Sequence, residues 1–248
     1  MAIAWSSNGK HLATGGYGAF GIIPHSIVAS TSLTMEPTWS NEVYYQASRF
    51  TTLAVGWSPD CTRIARGGAH RFDVWDVAKQ STVFVDRLPS NRVKAVEYSP
   101  NGKWIVAGGF NNLRLYTADP VQLVREFDTT GTTTRVSFSP NSERLAVASG
   151  SGFVELFSVP DGQRQGESTG HVQDVFSVDW HPQDDRIATG SSDGTVRLWD
   201  AITLQQALAF EEEGTPILSV EWSIDGKSLA SVSSGNGLRV RHAKTLAE

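Results

Sequence analysis

The stretch Val175–Asp200 reads VFSVDWHPQDDRIATGSSDGTVRLWD and contains the pattern that decides the fold. Its first six residues end in an apolar-polar-aromatic alternation at Trp180, and a His-Pro-Gln-Asp-Asp turn signal follows. Residues 186–190 are then mostly small or β-branched, a Ser-Ser-Asp-Gly turn comes next, and residues 195–200 alternate again. Short alternating runs between Pro, Asp and Gly turns predict antiparallel β-strands rather than βαβ units.

An aromatic residue like the one that ends the first run occurs six times in the chain, each time followed by Ser or His and a turn. The intervals between these aromatic anchors are 52, 41, 40, 42 and 42 residues. A period of this length that fills a chain indicates a repeat architecture, and we number the repeats copy one to copy six. The anchors are Trp5, Trp57, Tyr98, Phe138, Trp180 and Trp222.

Each copy has room for about four short strands. One four-stranded sheet cannot bury both of its faces, whereas six sheets stacked around an axis bury nearly all of them. We therefore predict an all-β fold, a β-propeller of six recognisable four-stranded blades, in one domain over residues 1–248. The blades are expected to start near residues 1, 53, 93, 134, 175 and 217. The interval of 52 residues predicts an inserted loop at about residues 26–40.

The last blade is expected to be incomplete. Matching the third strands of the copies places Leu246 on Leu204, so the outer strand of blade six is absent or barely begun. The sequence is compatible with a fragment of a seven-bladed ring and with a six-bladed ring whose last blade has three strands. An open sheet edge at this place would allow strand pairing with a partner.

The motifs of copy five resemble those of a known family. Gly170-His171 is followed by SSDGTVRLWD at residues 191–200, and copy two carries a second Trp-Asp pair at Trp75-Asp76. This pattern resembles the signature of the WD-repeat β-propeller family, and copy five carries it in full. In that family a His, a Ser or Thr, an Asp and a Trp of one blade form a hydrogen-bonded tetrad. The resemblance implies a structural tetrad of His171, Thr189 (or Ser191 as the hydroxyl), Asp193 and Trp199.

A Ser, His and Asp together could also indicate a hydrolase triad. An indole partner for the hydroxyl favours bracing of one blade instead, because the hydroxyl is then held in a donor-acceptor chain. We therefore predict no catalytic residues and no cofactor.

Composition restricts the partners. A formal net charge of −5 argues against direct binding of nucleic acid, which needs a basic surface. Cys61 is the single cysteine and the six histidines show no ligand spacing, so no disulfide within the chain and no metal site are expected. We recognise neither a secretory signal nor a transmembrane segment, which predicts an intracellular protein, cytoplasmic or nuclear.

The resemblance further implies that partners bind at the rim of the central channel. The positions that match the rim lie at the start of each inner strand and in the turn between the second and third strands. Arg92 and Lys94 would suit an acidic or phosphorylated segment of a partner. The predicted rim residues are Tyr17, Leu53, Arg92, Lys94, Phe110, Asp174, Phe176, Ser192 and Leu218.

We predict a non-catalytic scaffold that binds partner proteins or peptides on this rim. One alternative is a propeller enzyme, a hydrolase or lyase, with a site at the channel mouth. Such a site needs convergent titratable groups, and the rim offers mainly Asp174, Arg92 and Lys94. The other alternative is a phosphoinositide-binding propeller, but the basic pair expected of such proteins between late blades is not visible in the sequence.

Overall fold

The computed structural model of the chain describes residues 2–16, 19–24, 44–47, 51–183, 185–211, 214–235 and 237–242. Every regular element in these described ranges is a β-strand, so the prediction of an all-β fold is confirmed. The chain divides into two compact units. The first comprises Met1–Ala107 and Thr117–Gln122, and the second comprises Gly108–Tyr116 and Leu123–Glu248. The predicted insertion at residues 26–40 lies outside the described residues, as does Leu246.

The first unit contains the strands of copies one and two and the first strands of copy three. Strands β1 to β4 form a four-stranded antiparallel sheet in sequence order, and β5, β6 and β7 form the next sheet. The strands are β1 (Ala2–Trp5), β2 (His11–Gly16), β3 (Ala19–Pro24), β4 (Tyr44–Ala47), β5 (Thr52–Trp57), β6 (Arg63–Asp76), β7 (Ser81–Arg92), β8 (Ala95–Tyr98) and β9 (Trp104–Gly108).

The second unit continues the same plan. Strands β15 to β18 form a four-stranded sheet, β19 to β21 form a three-stranded sheet, and β10 to β14 lie side by side in sequence order. The prediction of four-stranded antiparallel sheets is thus confirmed for copies one and five, while the number of blades stays a prediction. The strands are β10 (Phe110–Ala118), β11 (Val121–Phe138), β12 (Arg144–Ser149), β13 (Val154–Ser158), β14 (Arg164–Ser168), β15 (Val175–Trp180), β16 (Arg186–Ser191), β17 (Thr195–Asp200), β18 (Gln206–Glu211), β19 (Ile217–Trp222), β20 (Ser228–Ser233) and β21 (Gly237–His242).

Two strands are longer than the sequence pattern predicts. In copy two the second and third strands form one element, β6, in which the chain reverses at His70, whose φ is 58°. Val77 N donates to Thr62 O at 3.0 Å and closes the open end of this reversal. Strand β11 likewise runs without a break from the end of copy three into copy four. Two of its linker residues are hydrogen-bonded: Thr130 N donates to the Glu155 carboxylate, and Thr132 O accepts the N–H of Gly150.

The hydrogen bonds of the serine after the anchor explain why most copies have Ser directly after the aromatic residue. In five copies this serine Oγ accepts the backbone N–H of the residue five positions later at 2.9 Å. The same hydroxyl donates to the Asn or Asp two positions later at 2.6 to 2.8 Å. Each serine therefore closes the turn between the inner and second strands. These serines are Ser6, Ser58, Ser99, Ser139 and Ser223.

Copy five replaces this serine by His181, which connects two copies instead. Its Nδ1 accepts the backbone N–H of Gln183 at 3.2 Å, and its Nε2 donates to the carbonyl of Gly226 at 3.0 Å. The ring packs edge-on against Trp222 with centroids 4.7 Å apart. A Cβ at position 226 would lie 2.6 Å from the imidazole, and φ there is +67°, so this position requires glycine.

Successive copies pack through their anchors. The first residue of a second strand lies against the anchor of the next copy: His11 against Trp57, with centroids 6.2 Å apart, and the Arg144 guanidinium over Trp180 at 4.9 Å. The cores have the same arrangement. Val196 and Leu198 of copy five pack with Ile217, Val220 and Trp222 of copy six, and all five side chains are buried. The aromatic anchors are therefore contact residues between copies, which the spacing alone did not indicate.

Candidate functional site

One end of each sheet in copies four, five and six is built in the same way. The first residue of the turn between second and third strands donates its backbone N–H to the carbonyl of the residue six positions before the aromatic anchor. These hydrogen bonds join Gly150 N to Thr132 O (2.8 Å), Ser192 N to Asp174 O (2.9 Å) and Ser234 N to Pro216 O (3.0 Å). The two segments that were predicted to form the rim therefore lie next to each other within each of these copies.

A β-bulge marks the same place in four inner strands. In each of these strands one extra residue has no partner on the second strand, and the pairing register shifts at that residue. A bulge bends its strand and re-aims one side chain, and bulges are common next to functional sites. Three of these residues were predicted as rim residues. The extra residues are Leu53, Thr134, Phe176 and Leu218.

The bulges leave apolar side chains at the surface. Leu218 is 49% exposed, and Leu53 and Phe176 are half-buried. In copy five Asp174 is exposed and Ser192 half-buried, with the Ser192 hydroxyl 3.1 Å from Gln173 Oε1. Copy five therefore combines an aromatic ring, a carboxylate and a hydroxyl in one small patch.

The other predicted rim residues lie at strand ends. Phe110, the first residue of β10, is 62% exposed. Arg92 ends β7 and Lys94 follows it, and both are exposed. Arg92 and Lys94 belong to the first compact unit and Phe110 to the second, so their grouping into one rim stays a prediction. Tyr17 lies outside the described residues.

The four residues of the expected tetrad lie within hydrogen-bonding distance in a chain. His171 Nδ1 is 2.9 Å from Asp193 Oδ2, and His171 Nε2 is 2.7 Å from Thr189 Oγ1. Trp199 Nε1 donates to the same Thr189 hydroxyl at 2.8 Å. Thr189 rather than Ser191 therefore occupies the hydroxyl position, since Ser191 Oγ donates to the carbonyl of Asp174 at 2.9 Å.

The contacts fix the tautomer of His171. Its Nδ1–H donates to the Asp193 carboxylate, so Nε2 carries the lone pair that accepts the Thr189 hydroxyl. Burial lowers the pKa of His171 and keeps the ring neutral, although Asp193 opposes this effect. Burial alone would raise the pKa of Asp193, but hydrogen bonds from Thr195 and His171 outweigh it and lower that pKa to about 2.

This geometry is that of a brace. Thr189 is fully buried, and its oxygen already accepts an indole N–H. A nucleophile must be reachable by substrate and must be able to give its proton to a base. The arrangement holds the loop before β15, strand β16 and strand β17 together within one sheet.

Buried charged side chains occur at related positions of other copies, and the sequence pattern did not predict them. In copy two Arg66 takes the place of Thr189 and is 2% exposed. Its Nε and Nη2 contact the two carboxylate oxygens of the buried Asp73 at 2.7 and 3.0 Å, and its guanidinium lies 5.0 Å from the Trp75 ring centroid. Alternating charge along β6 was the only signal, and it does not distinguish a buried pair from a surface pair.

Copy four uses a carboxylate for the same purpose. Glu155 of β13 is 1% exposed and accepts the backbone N–H of Thr130 at 2.8 Å. Arg164 lies 3.0 Å from the Glu155 carboxylate. Copy two thus contains a fully buried ion pair, whereas copy four contains a buried carboxylate whose cation is 42% exposed.

A groove of about 650 Å³ lies at the other end of copies four and five. Two of its lining cations are already neutralised, since Arg144 pairs with Asp185 and Arg164 pairs with Glu155 and Glu167. The end with the bulges is therefore the stronger candidate surface. Among the described residues, no group of three or more His, Cys, Asp or Glu side chains could hold a metal ion. In the same part of the chain, no helix is long and apolar enough to cross a membrane.

Comparison with known proteins agrees with these features. The family model described as "WD domain, G-beta repeat" matches residues 78–113 and 162–200. Polyadenylation factor subunit 2 from two strains of Cryptococcus neoformans var. neoformans serotype D is 27% identical to the chain over 129 residues. That alignment covers 51% of the chain and 18% of each relative, so the match spans a small part of those proteins. The residues of copy five that resemble the family signature lie inside the second match. Two segments of the chain, residues 78–113 and 162–200, are therefore similar to WD repeats.

Proposed function

We propose that the chain is a non-catalytic scaffold that binds other proteins or peptides at the bulged ends of its sheets. WD40 repeats and a relative that is a factor subunit support a protein-interaction scaffold in general. We further propose that residues 1–248 form one propeller domain with six blades, so that these sheet ends make up its rim.

The observation that carries this proposal is the β-bulge at the same place of four inner strands. A bulge costs ladder hydrogen bonds, and here it brings the side chain of an inner-strand residue to the surface. Phe176 and Leu218 are apolar residues at such positions in neighbouring copies, with the exposed Asp174 beside the first. Exposed aromatic and aliphatic groups with a polar surround are typical of binding hot spots.

The proposed partner segment is acidic or phosphorylated. Arg92 and Lys94 are both exposed at the start of copy three. Guanidinium and ammonium groups bind carboxylates and phosphates through charge-assisted hydrogen bonds. Because the chain as a whole has a net charge of −5, such local cations would select a partner without attracting nucleic acid in general.

A second contact is proposed at the edge of copy six. Strand β21 is the outermost strand of its sheet in the described residues, whereas copies one and five have a fourth strand outside the third. An exposed strand edge offers backbone N–H and C=O groups to an extended peptide. The relatives are named as subunits of a factor, which supports a role of the chain within an assembly. We also propose a cytoplasmic or nuclear location for the chain.

Affinity capture with the intact chain tests the proposal. Leu218→Ala and Phe176→Ala are expected to reduce capture of bound proteins at least tenfold, because truncation of a hot-spot side chain costs about 1.4 kcal/mol or more. Ile224→Ala is the matched control, since Ile224 is 91% exposed in the turn after β19, at the other end of the sheet. If the rim variants and the control capture the same proteins in the same amounts, the proposed surface is wrong.

The acidic-segment proposal is tested separately. Lys94→Glu combined with Phe110→Ala should abolish binding of an acidic or phosphorylated peptide selected with the wild-type chain. Lys227→Glu, a charge reversal of a side chain that is 81% exposed in the turn after β19, is the control. Equal loss with both variants would indicate a non-specific effect of net charge.

A further inference from the structure

Two arginines stand directly opposite each other at the bulged end of copy two, and we call them the arginine pair. Arg71 of β6 pairs with Arg87 of β7 in the antiparallel register, so both side chains lie on one face of the sheet. The Arg71 side chain is 32% exposed, and Arg87 is exposed. Like charges directly opposite each other destabilise a sheet. In copy five the pair at the same place is Thr195 and Glu211, so the repeat itself does not require two cations here.

A buried carboxylate holds the Arg71 side chain. Asp73 is fully buried, and its Oδ2 atom accepts the Nε–H of Arg71 at 2.8 Å. The same carboxylate accepts two hydrogen bonds from the buried Arg66 at 2.7 and 3.0 Å. One carboxylate therefore serves two guanidinium groups. With Arg87 included, these four residues carry three positive charges and one negative charge, an excess of two.

The single carboxylate of β7 lies on the other face of the sheet. Asp86 stands opposite Phe72, one position from Arg71 along β6, and successive residues of a strand alternate between faces. In copy three, by contrast, Glu126 of the outer strand pairs with Arg114 at 3.2 Å. The positive excess is thus a local property of copy two, in a chain whose net charge is −5.

We propose that the arginine pair binds a phosphate monoester group, carried by a phosphorylated serine or threonine of a partner segment. Such a group has a charge of about −1.5 to −2 at pH 7 and three acceptor oxygens, so it matches two neighbouring guanidinium groups better than a carboxylate does. Arg92, which pairs with Ala69 at the same end of the sheet, adds a further cation. This inference rests on the proposed function, and it names the group that the partner presents.

Two observations favour a protein segment over a membrane lipid as the source of the phosphate. Val85 stands opposite Asp73, on the same face as the arginine pair, and is 43% exposed. It therefore offers an apolar contact to the side chains beside a phosphorylated residue. The net charge of −5 means that an anionic membrane surface would repel the chain as a whole, whereas a single segment meets only the local charge.

Calorimetric titration of the intact chain tests the site with three small probes, the N-acetyl methylamides of phosphoserine, glutamate and serine. The wild type should bind the phosphoserine probe about tenfold or more tightly than the glutamate probe, and Arg87→Gln should weaken phosphoserine binding about tenfold or more. Arg125→Gln is the matched control, because it removes the same charge from an exposed position on β11. Equal phosphoserine affinities of Arg87→Gln and the wild type would overturn the proposal, as would a wild type that binds the phosphoserine and glutamate probes equally or not at all.

A charge reversal separates binding from folding. Arg87→Glu places a carboxylate opposite Arg71, so a repulsive cross-strand pair becomes an attractive one. This variant should melt at a higher temperature than the wild type and should not bind the phosphoserine probe. A lower melting temperature would contradict the inferred positive excess and would overturn the proposal.

Vesicles distinguish the two sources of phosphate. Phosphatidylcholine vesicles that contain phosphatidylinositol phosphate should bind the wild type no better than Arg87→Gln, and vesicle binding that depends on Arg87 would overturn the assignment to a protein segment. Partner capture with Phe176→Ala and Leu218→Ala is a separate result. Phosphoserine binding together with unchanged capture supports the arginine pair and refutes the bulged surface of copies five and six. Reduced capture without phosphoserine binding refutes the arginine pair alone.

Discussion

Replacing Thr189 by valine tests whether the tetrad of copy five is a structural brace. The hydroxyl of Thr189 is fully buried and lies between His171 Nε2 and Trp199 Nε1 at 2.7 and 2.8 Å. Valine has nearly the same shape as threonine and occupies the matching place in copy four, where Val147 is also fully buried. The substitution therefore removes the hydrogen bonds without leaving a cavity.

The expected loss follows from the two groups that remain. Without the hydroxyl, the Trp199 indole N–H and the lone pair on His171 Nε2 are buried and unsatisfied. Each such group costs about 1–3 kcal/mol, so for the two groups we expect Thr189→Val to lower the free energy of unfolding by about 2–6 kcal/mol. A loss of that size is a large part of the stability of an ordinary domain, which is about 5–15 kcal/mol.

Urea denaturation followed by tryptophan fluorescence measures this loss. Thr203→Val is the matched control, because Thr203 lies in an exposed turn with its hydroxyl 3.0 Å from Asp200 Oδ1, and it should cost about 0.5 kcal/mol or less. A loss below about 1 kcal/mol for Thr189→Val would refute the reasoning, since two orphaned groups cannot cost so little. Loss of partner capture with unchanged stability would instead give Thr189 a direct role in binding.

Three further changes test other parts of the structure. Desolvation raises the pKa of Asp179 to about 7, so the folded chain takes up a proton at a higher pH than the unfolded chain and loses stability as pH rises from about 4 to 7. This loss is at most about 4 kcal/mol, and it should be absent for Asp179→Asn in urea melts taken across that range. The amide oxygen of Asn can still accept the backbone N–H of Trp222, so the hydrogen bond itself is kept. Arg66→Met should lower the free energy of unfolding by about 3 kcal/mol or more, because it leaves Asp73 in the core without its main partner. The double variant with Asp73→Leu should recover most of that loss. Equal melting temperatures for Arg66→Met and the wild type would contradict a buried ion pair. Cys61→Gly should raise the free energy of unfolding by up to about 1 kcal/mol, because the residue has a φ of 60°. A destabilised variant in the same urea melts would show that the contact of the Cys61 thiol with the Pro59 carbonyl, at 3.9 Å, outweighs the backbone strain.

The sequence determined the local features of this protein. The alternation that ends at Trp180, the turn residues before Arg186 and the 42-residue period predicted the strands and their grouping, because these signals act between residues close in the chain. The resemblance in copy five also identified four tetrad residues that the structure places in contact. The choice between Thr189 and Ser191 was open until the third strand was positioned, since both hydroxyls lie near the same turn.

The tertiary structure alone decided the features that depend on distant neighbours. The burial of Arg66 against Asp73, the bulge that places Leu218 at the surface, and the exposure of Val240 where the equivalent Leu198 is covered cannot be read from one repeat. A repeat specifies which side chains share a face of its sheet. Whether that face meets water, a charge or another sheet is set by what packs beside it, and the free energy of burial therefore belongs to the pair of copies rather than to either copy alone.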